Sequence, residues 1–226
     1  GMTDLPLLSE PNLQQQLVEI GYQGKKLEEL EGLSAVEKTN MLFIVQDPYT
    51  SYYDAKVVRD FVALTQKLGF DPILLPFKPN GKAMHIKGFL ARFSKTAKTQ
   101  AEFLNRVAKL NVPLVGVDPA IVLSYRDEYK EALGDSRGDF HVLTAHEWLT
   151  NQLESNALQS AVKNIAKSDH TFEWHLFPHC TESTFMPNSP KEWQHIFAQF
   201  GQTLKVEKVG CCGMAGVFGH EVQNQT

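Results

Sequence analysis

The chain has 226 residues, of which 42% are hydrophobic and 21% are charged, so its composition is that of an ordinary globular protein with a core of its own. Its formal net charge of −4 at pH 7 gives no support for nucleic acid as a partner. No apolar run approaches the roughly 18 residues that span a bilayer, and we therefore expect no transmembrane segment.

The first half of the chain alternates predicted strands with predicted helices. Residues 1–40 indicate a helical segment with two short helices between Asn12 and Leu30. The run MLFIV at 41–45 is apolar throughout, which is typical of a strand buried on both faces of a parallel sheet. The elements predicted after it are a turn at 46–49, a helix at 55–68, a strand at 72–76, a turn at 78–81, a helix at 99–110, a strand at 113–117 and a helix at 119–133 capped by Asp118.

The second half continues the same alternation. Its predicted elements are a strand at 140–143, helices at 145–153 and 157–166, a strand at 172–177, a helix at 190–200 and a strand at 204–209. Capping boxes at 144–147 and 189–192 predict where two of these helices begin. The alternation indicates an α/β fold with a mostly parallel sheet.

The two halves resemble each other and predict two pseudo-repeated βαβ units, 41–139 and 140–226. Cys180 and Cys211 are 31 positions apart, as are Asp47 and Lys78, so the comparison sets Asp47 against Cys180. The first unit carries no cysteine and continues into a further strand and helix. The second does not continue, and we expect it to be truncated.

All three cysteines follow predicted strands, at the edge where open α/β sheets carry their sites. These thiols are Cys180, Cys211 and Cys212. An odd number with an adjacent pair argues against a disulfide framework and favours metal-binding or redox thiols in a reducing cytoplasm. Three glycines let the backbone approach a metal or an anion there, Gly210, Gly213 and Gly216. The alternative is that the thiols are buried as small apolar side chains.

Several other polar residues favour structural roles. His179 and His220 flank the cysteines, and a lone histidine is more often structural than functional. Glu182 would either orient His179 or be solvated, and Arg126 is interpreted as part of a solvated helix face. Two further groups are interpreted as an aromatic packing cluster and a solvated basic loop, namely Tyr49, Tyr52 and Tyr53, and Lys78, Lys82, His85 and Lys87.

The motifs that carry a family resemblance are FPHCTE at 177–182, GCCGMAG at 210–216 and GHE at 219–221. Together they resemble the cysteine-rich CCG domain of the heterodisulfide reductase B subunit, the glycolate oxidase iron–sulfur subunit and large FAD-linked D-2-hydroxyacid dehydrogenases. The last group, of the D-lactate or D-2-hydroxyglutarate type, is the most similar, because DPA at 118–120 and YRDEY at 125–129 match its first copy. The resemblance covers roughly residues 40–226.

The resemblance implies a 4Fe–4S cluster in the intact protein, ligated partly by Cys180, Cys211 and Cys212. It implies that Gly210, Gly213, Gly216 and His179 surround that cluster. FAD would belong to another part of the parent protein, where a small 2-hydroxyacid is oxidised, and electrons would pass to a quinone or another acceptor. No catalytic residue is assigned, and we expect this chain alone to show no turnover.

Two other classes of function remain open. The thiols could hold zinc together with His179 in a structural module, or could act in a thiol–disulfide enzyme of the heterodisulfide reductase type. In the family's full copies a cysteine stands where Asp47 and Lys78-Pro79 stand here, so the first unit is expected to be structural. We expect a cytoplasmic protein, and the resemblance also allows peripheral association with the inner membrane.

Overall fold

The computed structural model describes residues 6–155, 158, 161–162, 172–211, 213 and 218–224, and the helix predicted at 157–166 lies largely outside them. The strands of this part are β1 Met41–Val45, β2 Asp71–Leu74, β3 Leu114–Gly116, β4 Val142–Thr144, β5 Glu173–Leu176 and β6 Thr203–Val206. Its α-helices are α1 Leu13–Glu19, α2 Pro48–Tyr52, α3 Ala55–Lys67, α4 Lys82–Ile86, α5 Leu90–Ala108, α6 Pro119–Arg126, α7 Glu128–Leu133, α8 Ala145–Glu154, α9 Cys180–Phe185 and α10 Ser189–Gln199. Short 3-10 helices cover Leu27–Leu30, Gly134–Arg137, Phe218–His220 and Val222–Asn224. Among these described helices, none is long and apolar enough to cross a membrane.

The first four strands form one sheet in the order β2-β1-β3-β4, and every neighbouring pair is parallel. Phe43 of β1 is opposite both Ile73 of β2 and Leu114 of β3. The predicted α/β fold with a mostly parallel sheet is confirmed. Because the chain order reverses between β1 and β3, the carboxyl ends of these two strands form the switch point at which such sheets usually carry ligands.

The side chains of β1 divide between two layers of core. Phe43 packs with apolar side chains of α5, α6 and α7 on one face, and Ile44 packs with those of α1, α3 and α8 on the other. All five residues of β1 are buried, because successive side chains point to opposite faces and helices cover both faces. The apolar run at 41–45 predicted this arrangement.

Gly116, at the end of β3, leaves no room for a side chain. An added Cβ would overlap Val122 Cγ2 of α6, and the buried, β-branched Val122 cannot turn away. We expect Gly116→Ala to lower the free energy of unfolding by about 1–3 kcal/mol in urea denaturation. Gly32→Ala is the control, because nothing lies within 4 Å of a Cβ built there. An equal loss at both positions would contradict the steric explanation.

The last two strands form a separate parallel pair, β5-β6, and α10 packs against β6. Glu173 is opposite Thr203 in this pair, and Met41 is opposite Asp71 in the first sheet, so both partners lie 30 positions further along the chain. Ile196 of α10 belongs to the same apolar cluster as Ile44. The second pair of strands is therefore joined to the first sheet through α10.

The shared register corrects one detail of the comparison between the halves. Asp47 and His179 each lie six positions after the first residue of their strand, and each is the N-cap of the next helix. Asp47 therefore corresponds to His179, and the predicted match of Asp47 with Cys180 is one residue out of register.

Capping chemistry predicted two helix starts correctly and one wrongly. Asp118 accepts two backbone N–H bonds at the start of α6, and Thr144 and Glu147 form the predicted capping box of α8. Ser189 is not a cap, because α10 begins at Ser189 itself and its N-cap, Asn188, already has helical dihedral angles. The residues 189–192, which have the sequence of a capping box, therefore form the first turn of α10.

Three other boundaries differ from the prediction. The segment predicted as a turn at 46–49 contains the start of α2, which Asp47 caps and in which Pro48 takes the first position. Helix α5 begins at Leu90, well before residue 99, because 90–98 contain no Gly or Pro and Phe93 extends the buried face. The helix predicted at 119–133 is divided into α6 and α7 at Asp127.

Candidate functional site

Two thiols lie at the carboxyl edge of the β5-β6 pair. Cys180 is the first residue of α9, which follows β5, and Cys211 comes shortly after β6. The backbone pairing extends past the strands, since the Glu207 N–H donates to the Leu176 carbonyl at 2.9 Å. Both thiols are free and exposed. Their predicted position at neighbouring strand ends is confirmed, and the alternative that they are buried apolar side chains is wrong for these two.

The turn after β6 has the backbone that its glycines predict. Gly213 has a φ of 76°, a left-handed conformation that favours glycine, and its N–H donates to Cys211 Sγ at 3.4 Å. Gly210 is exposed, and nothing lies within 4 Å of a Cβ built on it. An N–H directed at a thiolate is the contact that raises the reduction potential of a metal–sulfur centre. Cys212 and Gly216 lie outside the described residues.

The two polar neighbours of Cys180 face in different directions. His179 is exposed and is the N-cap of α9, but its side chain makes no capping bond. Glu182 is only 7% exposed, and it accepts a hydrogen bond from Trp193 Nε1 at 3.3 Å. The expectation that Glu182 orients His179 or is solvated is wrong, because this carboxylate is buried against α10.

Cys180 and Cys211 are the described cysteines that could ligate a metal. Among them, no three His, Cys, Asp or Glu side chains are grouped so that they could hold a metal ion. A 4Fe–4S cluster normally takes four thiolates, of which Cys180 and Cys211 can provide two. The other ligands of such a cluster would have to come from beyond the described residues.

The segment after the cysteines contacts the first half of the chain. Glu221, one residue after His220, forms an ion pair with Lys87 at the end of α4. Lys82 of the same helix is paired with Glu128 of α7, and both side chains are mostly buried. The loop interpreted as basic and solvated is therefore partly neutralised. Its contact with Glu221 brings the end of the described chain back to α4 in the first half.

The switch point of the first sheet is filled by polar side chains. Asp47 is 2% exposed, and Thr50 donates its backbone N–H to Asp47 Oδ1 at 2.9 Å and its hydroxyl to Oδ2. Burial raises the pKa of Asp47, Asp118 raises it further, and the bonds from Thr50 oppose the rise. Burial also raises the pKa of Tyr125, which lies near both carboxyls. A packed polar network thus occupies, in the first sheet, the edge that corresponds to the thiol-bearing edge of the separate β5-β6 pair.

The aromatic cluster near this edge is partly as predicted. Tyr49 and Tyr53 stack at 6.2 Å between ring centroids, and Tyr52 packs edge-on against Phe77 at 5.1 Å. The three tyrosines nevertheless remain exposed. Aromatic packing therefore accounts for these contacts, although the tyrosines stay 40–53% exposed.

Arg126 and His146 are structural residues that the sequence did not identify. Arg126 is a half-buried partner of Glu147, with Nη1–Oε1 and Nη2–Oε2 distances of 3.0 and 2.5 Å, so its interpretation as part of a solvated helix face is wrong. His146 is 1% exposed and lies between α8, α9 and α10. Their burial depends on partners far along the chain, and neither the end of α6, where Arg126 lies, nor the capping box that encloses His146 signals it locally.

These features define a class of protein, a parallel α/β chain that presents free thiols and a glycine-rich turn at the carboxyl edge of two strands. Over its length the chain is similar to proteins named D-2-hydroxyglutarate dehydrogenase. It is 83% identical to that of Haemophilus influenzae over 225 residues, which are 100% of this chain and 22% of the relative. For the Escherichia coli protein the identity is 58%, over 99% of this chain and 21% of the relative.

A more distant relative of the same name, from Pseudomonas putida, is 36% identical over 100% of this chain and 21% of its own length. The chain therefore spans about a fifth of the length of the curated relatives it matches. No family model and no solved structure matches it.

Proposed function

We propose that this chain is the C-terminal, electron-transfer segment of an FAD-linked D-2-hydroxyacid oxidoreductase of the D-lactate or D-2-hydroxyglutarate type. The observation that carries the proposal is the position of Cys180 and Cys211. They are free, exposed and at the ends of adjacent parallel strands, in a chain 83% identical to a segment of a D-2-hydroxyglutarate dehydrogenase. Side chains with metal-ligating sulfur at one edge suit a shared inorganic centre.

In this proposal a 4Fe–4S cluster supplies one-electron transfer when it is bound. Cys180 and Cys211 would provide thiolate ligands, and Cys212 would be a third. The backbone N–H of Gly213 donates to Cys211 Sγ and would offset negative charge on that sulfur. Gly210 leaves room beside Cys211, since nothing lies within 4 Å of a Cβ built on it, and Gly216 is proposed to belong to the same surroundings. Exposed His179 is available as a neighbour or an additional ligand.

The remaining chemistry is assigned to parts of the longer protein. FAD is held there, the small 2-hydroxyacid is oxidised there, and the electrons finally reach a quinone or another acceptor. A chain that carries only the thiol edge is expected to give no substrate-dependent dye reduction. Turnover by this chain alone would contradict the assignment of substrate oxidation to another part of the longer protein.

The proposal is tested by metal analysis of protein purified without oxygen. We expect iron and acid-labile sulfide in comparable amounts, with a broad brown absorbance. Cys180→Ser and Cys211→Ser should each lose most of the iron, because each removes one thiolate from a small ligand set. Ser183→Ala, at an exposed position of the same helix α9, is the matched control and should keep it.

Two other results would replace the proposal. Zinc without sulfide, lost in Cys180→Ser and in His179→Ala, would identify a structural zinc module. Metal-free protein that turns over disulfides and is inactivated by thiol alkylation would identify a thiol–disulfide enzyme. The exposure of both thiols is the observation that keeps this second candidate under test.

A further inference from the structure

His146 is a buried polar residue at the junction of the two sheets. It is 1% exposed and lies at the start of α8. Its Nδ1 shares a hydrogen bond of 3.0 Å with Thr144 Oγ1, and the same nitrogen lies at an ion-pair distance of 3.3 Å from Glu182 Oε1. Its Nε2 lies 3.2 Å from Glu192 Oε2, an ion-pair distance at which hydrogen-bond alignment is not met. The imidazole therefore bridges two carboxylates that belong to two different helices of the second unit.

This arrangement is a bridge and not a metal site. The two carboxylates contact opposite nitrogens of one ring, so the ring and both carboxylates cannot converge on a single ion. The Trp193 ring is 5.6 Å from the imidazole ring, and Trp193 Nε1 donates to the same oxygen of Glu182 at 3.3 Å. Helices α8, α9 and α10 thus meet at one buried carboxylate.

The bridge matters for Cys180 because α9 has little stability of its own. This helix has six residues and no side-chain capping bond, and a helix so short is not stable alone in water. Its position is set by tertiary contacts, with α6 on one side and with His146 and Trp193 through Glu182 on the other. Glu182 is two residues after Cys180 on the same short helix, so the contact that holds this carboxylate also restrains the backbone that carries the thiol.

We propose that His146 is a positioning residue, which holds the Cys180-bearing helix against the first sheet through Glu182. Loss of the imidazole would leave the buried Glu182 carboxylate with Trp193 Nε1 as its remaining described partner, and an under-compensated buried carboxylate is costly, so α9 should open from the junction more readily. The assignment of Cys180 as a metal ligand rests on the proposed function. The contact between His146 and Glu182 does not.

The first test uses the metal-free chain and hydrogen–deuterium exchange at fixed pH. Within α9 the Met186 N–H donates to the Glu182 carbonyl at 2.7 Å, and such amides report opening of the helix. We expect His146→Leu to speed exchange of residues 180–186 by about tenfold or more, with 55–67 in α3 unchanged. His146→Gln, which keeps one donor, should be intermediate. The control is His195→Leu, since His195 is exposed on α10.

Unchanged exchange of 180–186 in His146→Leu would overturn the proposal. Equal acceleration of 180–186 and 55–67 would overturn it as well, because His146 would then act only on global stability. Because this test is made without metal, its result is independent of whether the chain binds a cluster.

The second test is iron retention after anaerobic reconstitution. We expect His146→Leu to retain several-fold less iron than the wild type and His195→Leu to equal it. Faster exchange of α9 with wild-type iron content would overturn the positioning role at the metal site. If the wild-type chain takes up no iron, the proposed function fails, and the exchange experiment alone decides the role of His146.

Discussion

Replacement of Trp148 by Ala is expected to lower the free energy of unfolding by about 3–5 kcal/mol. Trp148 of α8 is 1% exposed and is among the largest fully buried side chains described. Its ring makes edge contacts with Phe70 and Phe61 at centroid distances of 4.9 and 6.1 Å. Ala would leave a cavity between α3, α8 and the sheet. The loss of stability would be measured at pH 7 as a lower urea concentration at the midpoint of unfolding.

Trp148→Phe is the matched control for this prediction. Phe keeps an aromatic ring in the cavity, and it removes the indole Nε1–H, which is buried without a hydrogen-bond partner in the described structure. An unpaired buried donor is costly, so this variant should lose much less stability than Trp148→Ala. A loss below about 1 kcal/mol for Trp148→Ala would show that the core around α8 collapses to fill the space.

Loss of the Arg126–Glu147 pair should have the second largest effect. Nη2 of Arg126 also donates to the Val142 carbonyl at 2.7 Å, and the two side chains are only 23% and 22% exposed. Arg126→Met would leave a largely buried carboxylate without its partner, and we expect a loss of about 2–4 kcal/mol. The double variant Arg126→Met with Glu147→Gln should recover part of it, because Gln keeps the capping box of α8.

This pair also predicts a pH dependence. Burial raises the pKa of Glu147, but hydrogen bonds from Arg126 and the Thr144 backbone outweigh burial, so the pKa lies below its ordinary value of 4.5. Because the folded pKa is below the unfolded one, the carboxylate stabilises the fold above about pH 4.5, and the contribution is lost as the pH falls through the folded pKa. The stability difference between wild type and Arg126→Met should therefore shrink below that pH. A stability difference between the two proteins that stays constant from pH 7 to pH 3 would contradict this role of Glu147.

Local chemistry predicted the elements that depend on neighbouring residues. Asp118 followed by Pro119 caps α6 and Thr144 with Glu147 caps α8, since each cap is formed within four residues of chain. The same reasoning failed at Ser189, because the N-cap of α10 is one position earlier, at Asn188, which already has helical dihedral angles. A cap is a geometric position, and sequence spacing identifies it only when the chain before it is extended.

The thiol edge was predictable because parallel strands bring their carboxyl ends to one side, whatever side chains follow. The register between the halves was not predictable from the sequence. Asp47 could be matched with His179 only because paired residues lie 30 positions apart in both sheets. The burial of Glu182 could not be predicted from the sequence either, because a side chain on so short a helix can face solvent or the core.

By itself the sequence determined the alternation of strands and helices, the buried character of β1 and the strands that the cysteines follow. These depend on hydrophobic periodicity and on short-range caps, which operate between neighbours in the chain. Only the tertiary structure decided which polar side chains are buried, since His146 lies against Glu182 and Glu192 across 36 and 46 positions. A polar side chain enters the interior only where a partner compensates its lost hydration, and these distant partners meet only once the sheets have docked.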